Sequence, residues 1–472
     1  VVLRLPWVGH LLMWDEAMNL CSVRSFAARG QDYYSSWFWH HPPLMSLALL
    51  LLQPLESGFA ERAHLFLIFT GILTSLTLFA LCRFAFGTAA ALWSVFFYAV
   101  MPAAIFFDLW IKQDPLATLF GMLALLAFLK KRYWFSGALM GLALLAKEIA
   151  AFYAIGIGVL WLAQSREHRS VRDLLVVAAV AAVLSVWWYI GFSSSITYFI
   201  AFAVNFSKKG VDIWMWSRPW HYFLGKLPID LGLLGLALSV LGVVAIGFLR
   251  RRGNREPAVL WPLAVLVPAF LLISTARGKA VWFTITLYPV FAALEGAGLQ
   301  GLMSAVRSRV PAKRAFLGKA TMTALGLAAV LHSVSGVWGR DYERTLFEQD
   351  GGIWWGAEAS HEAAVMVKGL AKEDQRVLIT PMSFWEFRDK EPCPIFVYYL
   401  GDVPVLVRPF NLSAQELVDA VKKYQLDWAM VSPEGPAARE ALLEPLMREY
   451  GLQPLYLRGA CVLKTDSSYK KP

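Results

Sequence analysis

The chain has 472 residues, 58% of them hydrophobic and 17% charged, with a formal net charge of +10. Soluble domains carry about a quarter charged residues, so this balance excludes an ordinary soluble protein and indicates a membrane class. Nor does the positive charge indicate nucleic acid: Lys and Arg sit in short segments between apolar runs, where they set membrane topology. Cys21, Cys82, Cys393 and Cys461 show neither Cys-x-x-Cys nor Cys/His zinc spacing.

Val1–Val8 read as the last turns of an apolar helix too short to span alone, so an upstream helix is expected. A long first loop, Gly9–Arg62, follows. Spans are then predicted near Ala63–Leu81, Ala89–Phe107, Pro115–Leu129, Tyr133–Ala146, Ile149–Leu162, Leu174–Ile190, Leu227–Leu249, Val259–Ile273, Val281–Leu299 and Ala315–Val337. Tyr133–Ala146 and Ile149–Leu162 are short and suit two half-depth helices around Lys147-Glu148. Arg83, Lys130–Arg132, Arg166–Arg172, Arg250–Arg255 and Arg307–Lys319 all fall on one side of these spans, which the positive-inside rule makes cytoplasmic. The other side receives residues 9–62, Asp108–Asp114, Lys147-Glu148, Gly191–Lys226, Arg277–Lys279 and everything after Val337. Most acids of the membrane part gather there, which makes the extracytoplasmic face the expected working face.

After about Arg340 the pattern changes. Arg376–Thr380, Ile395–Leu400, Val403–Val407 and Asp427–Ser432 read as short strands. Ser413-Ala414-Gln415-Glu416 is a capping box opening a helix to about Tyr424, and a second amphipathic helix is read near Ala437–Tyr450. The expected architecture is an all-α polytopic membrane domain of ten or eleven spans over residues 1–338, then a small soluble α/β domain over 339–472.

Several groups suit chemistry. Asp15-Glu16 at the mouth of a membrane cavity can act as a general base or hold a divalent cation with waters; two solvated loop acids are the plain alternative. His41, held by Pro42-Pro43, can donate to a phosphate or shuttle a proton, or else mark an interfacial turn. Asp114 precedes Pro115 at a helix start, where capping alone would account for it, but Asp108 and Lys112 lie close by. Lys147-Glu148 interrupts an apolar run, and Arg277-Gly278-Lys279 offers two cations at helix ends.

In order, Asp15-Glu16, His41-Pro42-Pro43-Leu44, Asp114-Pro115-Leu116, Gly141-Leu142-Ala143-Leu144-Leu145-Ala146-Lys147, and Gly278-Lys279 with Leu287-Tyr288-Pro289 resemble the GT-C membrane glycosyltransferases of the protein-mannosyltransferase and aminoarabinose-transferase branch. The resemblance covers about residues 9–300. Glu148, Phe283 and Thr286 depart from it. It implies an inverting transfer from a polyprenyl-phosphate sugar to a protein, lipid or glycan acceptor, on the outer face of the plasma membrane. Asp15, Glu16 and Asp114 would be the catalytic carboxylates. Lys112, Lys147, Arg277, Lys279 and His41 would hold the donor phosphate. Beyond a divalent cation on Asp15 and Glu16, no cofactor is implied. The alternatives are a transporter or flippase, against which the absence of repeat-related halves counts, and an inactive lipid-sugar binder.

This topology predicts that single cysteines placed at 251 and 372 differ in intact cells. An impermeant thiol reagent should label position 372 and spare 251; the reverse pattern overturns the orientation.

Overall fold

The computed structural model describes residues 4, 5, 8, 12, 14–27, 41–53, 58–165, 167, 169–191, 218–252, 256–276, 279, 281–307, 324, 326–328, 331, 356–370, 377–379, 394–400, 405–407, 415, 419, 423, 428–431, 453–456 and 461–464. The chain forms two compact units. The first comprises Val1–Val8, Trp39–Ala48 and Ser57–Gly351; the second comprises Gly9–Phe38, Leu49–Glu56 and Gly352–Pro472. In chain order the helices are α1 (Trp14–Ala27), α2 (Leu44–Leu52), α3 (Phe59–Phe86), α4 (Thr88–Val100), α5 (Pro102–Phe107), α6 (Asp114–Leu129), α7 (Tyr133–Ala146), α8 (Ala151–Ala163), α9 (Val171–Gly191), α10 (Tyr222–Arg251), α11 (Trp261–Thr275), α12 (Tyr288–Arg307), α13 (Gly356–Leu370) and α14 (Pro394–Leu400).

In the first unit, α3, α9, α10 and the stretch Pro257–Thr275 are, among the described residues, long and apolar enough to cross a membrane. The helices α4, α6, α7 and the stretch Glu148–Ala163 are apolar but shorter. The expected span Ala89–Phe107 is broken. Met101 is extended (φ −66°, ψ 123°) and Pro102 opens α5, as the restriction on a residue before proline requires. The expected break at Lys147-Glu148 is present: α7 ends at Ala146, Lys147 is extended, and a 3₁₀ turn at Glu148–Ala150 leads into α8. The break keeps its backbone groups bonded, because Lys147 N–H donates to Ala143 O and Ala150 N–H to Lys147 O. The segment Val281–Leu299 starts as a 3₁₀ turn, Val281–Leu287, and continues as α12. Most of the expected span Ala315–Val337 lies outside the described residues.

Helices α10 and α12 cross at van der Waals contact of their backbones. A Cβ added at Gly242 would run into the Leu294 carbonyl, and one at Gly298 into the Leu238 carbonyl. Small residues let transmembrane helices approach this closely, where dispersion replaces the hydrophobic drive. Further along α10, Pro228 lies inside the helix, and Gly232 (φ 72°, ψ 160°) interrupts it. That left-handed φ favours glycine.

In the second unit, β1 (Val377–Ile379), β2 (Val405–Val407), β3 (Trp428–Val431), β4 (Gln453–Tyr456) and β5 (Cys461–Lys464) form one mixed sheet in the order β2-β1-β3-β5-β4. β1 pairs parallel with β2 and β3, whereas β5 pairs antiparallel with β3 and β4. Ile395–Leu400, expected as a strand, is instead helix α14. A short apolar run cannot be assigned by periodicity, and Pro394 suits a helix start. The strands β4 and β5 had no expectation; Pro454 weakens the strand signal of β4 and is tolerated because β4 is an edge. Residues 415, 419 and 423 are helical, as the capping box implies. The expected helix Ala437–Tyr450 and Cys393 lie outside the described residues. Within this unit α1 packs on α14: Met18 and Cys21 contact Val397 and Tyr398, and the Arg24 guanidinium stands 4.4 Å over the Tyr398 ring.

The α10–α12 crossing separates two otherwise identical substitutions. Gly242→Ala should lower the thermal midpoint of the purified protein, by overpacking worth about 1–3 kcal/mol or more. Gly247→Ala on the same helix meets nothing within 4 Å and should leave the midpoint unchanged or raise it, because alanine is the better helix former.

Candidate functional site

The break after α5 builds the site. Residues 108–113 form a buried turn between α5 and α6, so polar side chains are carried into an apolar interior. There each ionised group needs a partner. Asp108 accepts from Arg4 Nη2 at 2.7 Å and from the Tyr98 hydroxyl at 2.8 Å. Lys112 stands 4.7 Å over the Trp110 ring, a cation–π arrangement.

Asp114 is the first residue of α6, with Pro115 behind it, and the N-cap position belongs to Gln113. Capping therefore does not explain it. Its Oδ2 accepts from Lys147 Nζ at 2.7 Å, and Oδ1 is buried without a hydrogen-bond partner. The helix break at Lys147 directs the ammonium to this carboxylate 33 residues earlier. Asp114 is fully buried and the Lys147 side chain nearly so, which makes this a desolvated ion pair with one carboxylate oxygen left over.

A second charged cluster adjoins the turn. Lys226 and Asp230, one helical turn apart on α10, pair at 2.6 Å and are buried. The Tyr288 hydroxyl donates to Asp230 Oδ2 at 3.1 Å and lies 2.9 Å from Thr284 Oγ1. The Lys226 ammonium sits 5.6 Å from the Phe107 ring, which packs edge-on against Trp110. Aromatic contacts thus connect this pair to the 108–113 turn. Sequence reading placed Lys226 at a loop end and passed over the pair, although the i, i+4 spacing was a usable signal. Arg4 and Glu295 were also passed over.

The remaining expected residues are distributed as follows. Lys279 is buried, and its Nζ donates to the Arg218 carbonyl at 3.0 Å and to the Ala276 carbonyl. Burial lowers its pKa from the ordinary lysine value. His41 is half-buried in the first unit, just before α2. Arg277 lies outside the described residues. Asp15 and Glu16 belong to the second unit, in the first turn of α1, where helix-dipole attraction suits carboxylates. Asp15 is half-buried and Glu16 buried. Neighbouring residues on a helix do not face each other, so the two do not converge into a chelate by themselves. Among the described residues no group of three or more His, Cys, Asp or Glu could hold a metal ion, so no step is assigned to one.

Removing one member of the Asp114–Lys147 pair should cost far more than removing both. Lys147→Met leaves the carboxylate buried and uncompensated, worth about 3–5 kcal/mol, whereas Lys147→Met with Asp114→Leu should recover most of it. Thermal unfolding of both variants in detergent checks this. Equal midpoints would show that the pair carries no such coupling.

Residues 40–190 match the family described as dolichyl-phosphate-mannose-protein mannosyltransferase. That segment contains His41, Lys112, Asp114 and Lys147. Comparison with curated protein sequences returns no match. The fold matches ArnT from Cupriavidus metallidurans bound to undecaprenyl phosphate, at 16% identity and a TM-score of 0.64, over 100% of this chain and 97% of that one. The apo state of the same protein matches at 18% identity and a TM-score of 0.63, over 98% and 95% of the two chains. The oligosaccharyltransferase of Archaeoglobus fulgidus matches at 12% identity and a TM-score of 0.51, over 90% of this chain and 66% of that one. The chain therefore has the GT-C fold of the polytopic membrane glycosyltransferases.

Proposed function

We propose that the chain is an inverting glycosyltransferase that moves a sugar from a polyprenyl-phosphate donor to an acceptor on the extracytoplasmic face of the plasma membrane. The observation that carries this reading is the Asp114–Lys147 pair: a buried ammonium and a carboxylate with one unsatisfied oxygen, in a fold that aligns end to end with a protein solved with undecaprenyl phosphate. The match of residues 40–190 to the mannosyltransferase family supports it further.

In this reading the bond between the anomeric carbon and the phosphate oxygen breaks, and its electron pair leaves with the phosphate. Lys112, Lys147, Lys279, Arg277 and His41 stabilise that charge. The acceptor oxygen attacks from the opposite face, which inverts the anomeric centre, and its proton passes to Asp15. Glu16 and Asp114 orient the acceptor and the cations. Residues 339–472 carry no chemistry. The acceptor is a protein, lipid or glycan hydroxyl.

The assay is transfer from a synthetic polyprenyl-phosphate sugar by the purified chain, with donor binding measured separately. Asp15→Asn should lower turnover about 100-fold or more while donor binding survives. Lys279→Ala should weaken donor affinity instead. Near-normal turnover in Asp15→Asn moves the base to Glu16 or Asp114, and absence of any transfer by the parent protein removes the proposal.

A further inference from the structure

Away from the Asp114–Lys147 pair, the first unit contains a cavity of about 280 Å³, bounded by the end of α4, by α10 where Gly232 interrupts it, by Glu295 of α12 and by Ala328. Phe97, Val100 and Met101 make its wall apolar. Glu295 is 2% exposed, and its Oε1 is buried with no hydrogen-bond partner. That oxygen occupies space which only a glycine at 235 leaves: a Cβ there would stand 2.8 Å from it. Leu233, at the edge of the same cavity, is 76% exposed on a helix long and apolar enough to cross a membrane. The cavity therefore opens toward hydrocarbon, and what enters comes from the bilayer.

We propose that this cavity binds a neutral lipid alcohol, its chain against the apolar wall and its hydroxyl hydrogen-bonded to Glu295. The volume lies just below that of typical ligand cavities, which begin at roughly 300 Å³, so the cavity takes the head and first part of the chain. Water suits the space poorly, because an ordered water needs about 2–4 polar partners and Glu295 is the one polar side chain among the described residues that line it. A metal ion lacks ligands among the described residues. A hydroxyl both donates and accepts, so it satisfies a carboxyl group in either protonation state, whereas an ammonium satisfies only the carboxylate and brings a charge against apolar walls. The site is separate from glycosyl transfer and stands whether or not the chain has that activity.

The test uses the full chain in detergent micelles and three photoactivatable C16 probes that differ only at the head: an alcohol, an alkane and an amine. Crosslinked peptides are mapped by mass spectrometry. The alcohol should label residues 97–102 or 231–235 more strongly than either other probe. Glu295→Leu should reduce that labelling roughly five- to tenfold, the loss of one net hydrogen bond, and Glu295→Gln should retain most of it. Leu233→Trp, at a position 76% exposed, should obstruct the mouth and reduce labelling even if Glu295→Leu fails to fold. Equal labelling by the alkane, stronger labelling by the amine, no labelling of these peptides, or labelling indifferent to both Glu295→Leu and Leu233→Trp overturns the proposal.

Discussion

An ion cannot be left alone in an apolar interior, and the first unit is arranged around that constraint. Asp108 is met by Arg4 and Tyr98, Asp114 by Lys147, and Asp230 by Lys226 and Tyr288. Each pairing joins segments distant in sequence or fixes one end of a helix. Were the carboxylates replaced by apolar groups, the helices would still pack, but the turn at 108–113 and the break at Lys147 would lose their reason to hold one geometry.

The helix interruptions serve the same arrangement. Proline at 102, the extended Lys147 and the left-handed Gly232 each stop a run that hydropathy alone would continue. Backbone in lipid is tolerated outside a regular helix only where protein covers it. Close packing supplies that cover: Gly242 and Gly298 bring α10 and α12 into backbone contact, and Gly121 of α6 makes room for the Tyr153 ring, whose hydroxyl bonds the Thr286 carbonyl.

Helix positions were largely legible in the sequence, because apolar length and basic punctuation are local properties. The bounds Tyr133–Ala146 follow from Lys130–Arg132 on one side and Lys147 on the other. Charged residues at the site were legible as types but not as partners. Nothing near Lys147 indicates that its carboxylate lies at 114, since only tertiary packing brings α6 and the break together. Lys226 and Asp230 are readable at i, i+4, although Lys226 also marks a loop boundary. Glu295, a lone acid amid Ala, Gly and Leu, was the plainest signal left unused. In the second unit α14 was misread as a strand because Ile, Phe, Val and Tyr favour strands locally, whereas the neighbouring α1 and α13 decide the outcome.

The lengths of α7 and α8 have a consequence for the membrane itself. Fourteen residues in α7 rise roughly 21 Å, and α8 is a residue shorter, against a hydrocarbon core about 30 Å thick. Lys147 stands at the junction of these two helices. Where lipid meets helices this short, the bilayer thins around them or flanking polar groups reach to the interface. In both cases bilayer thickness, set by acyl-chain length and sterol content, becomes a physical variable acting on the Asp114–Lys147 pair.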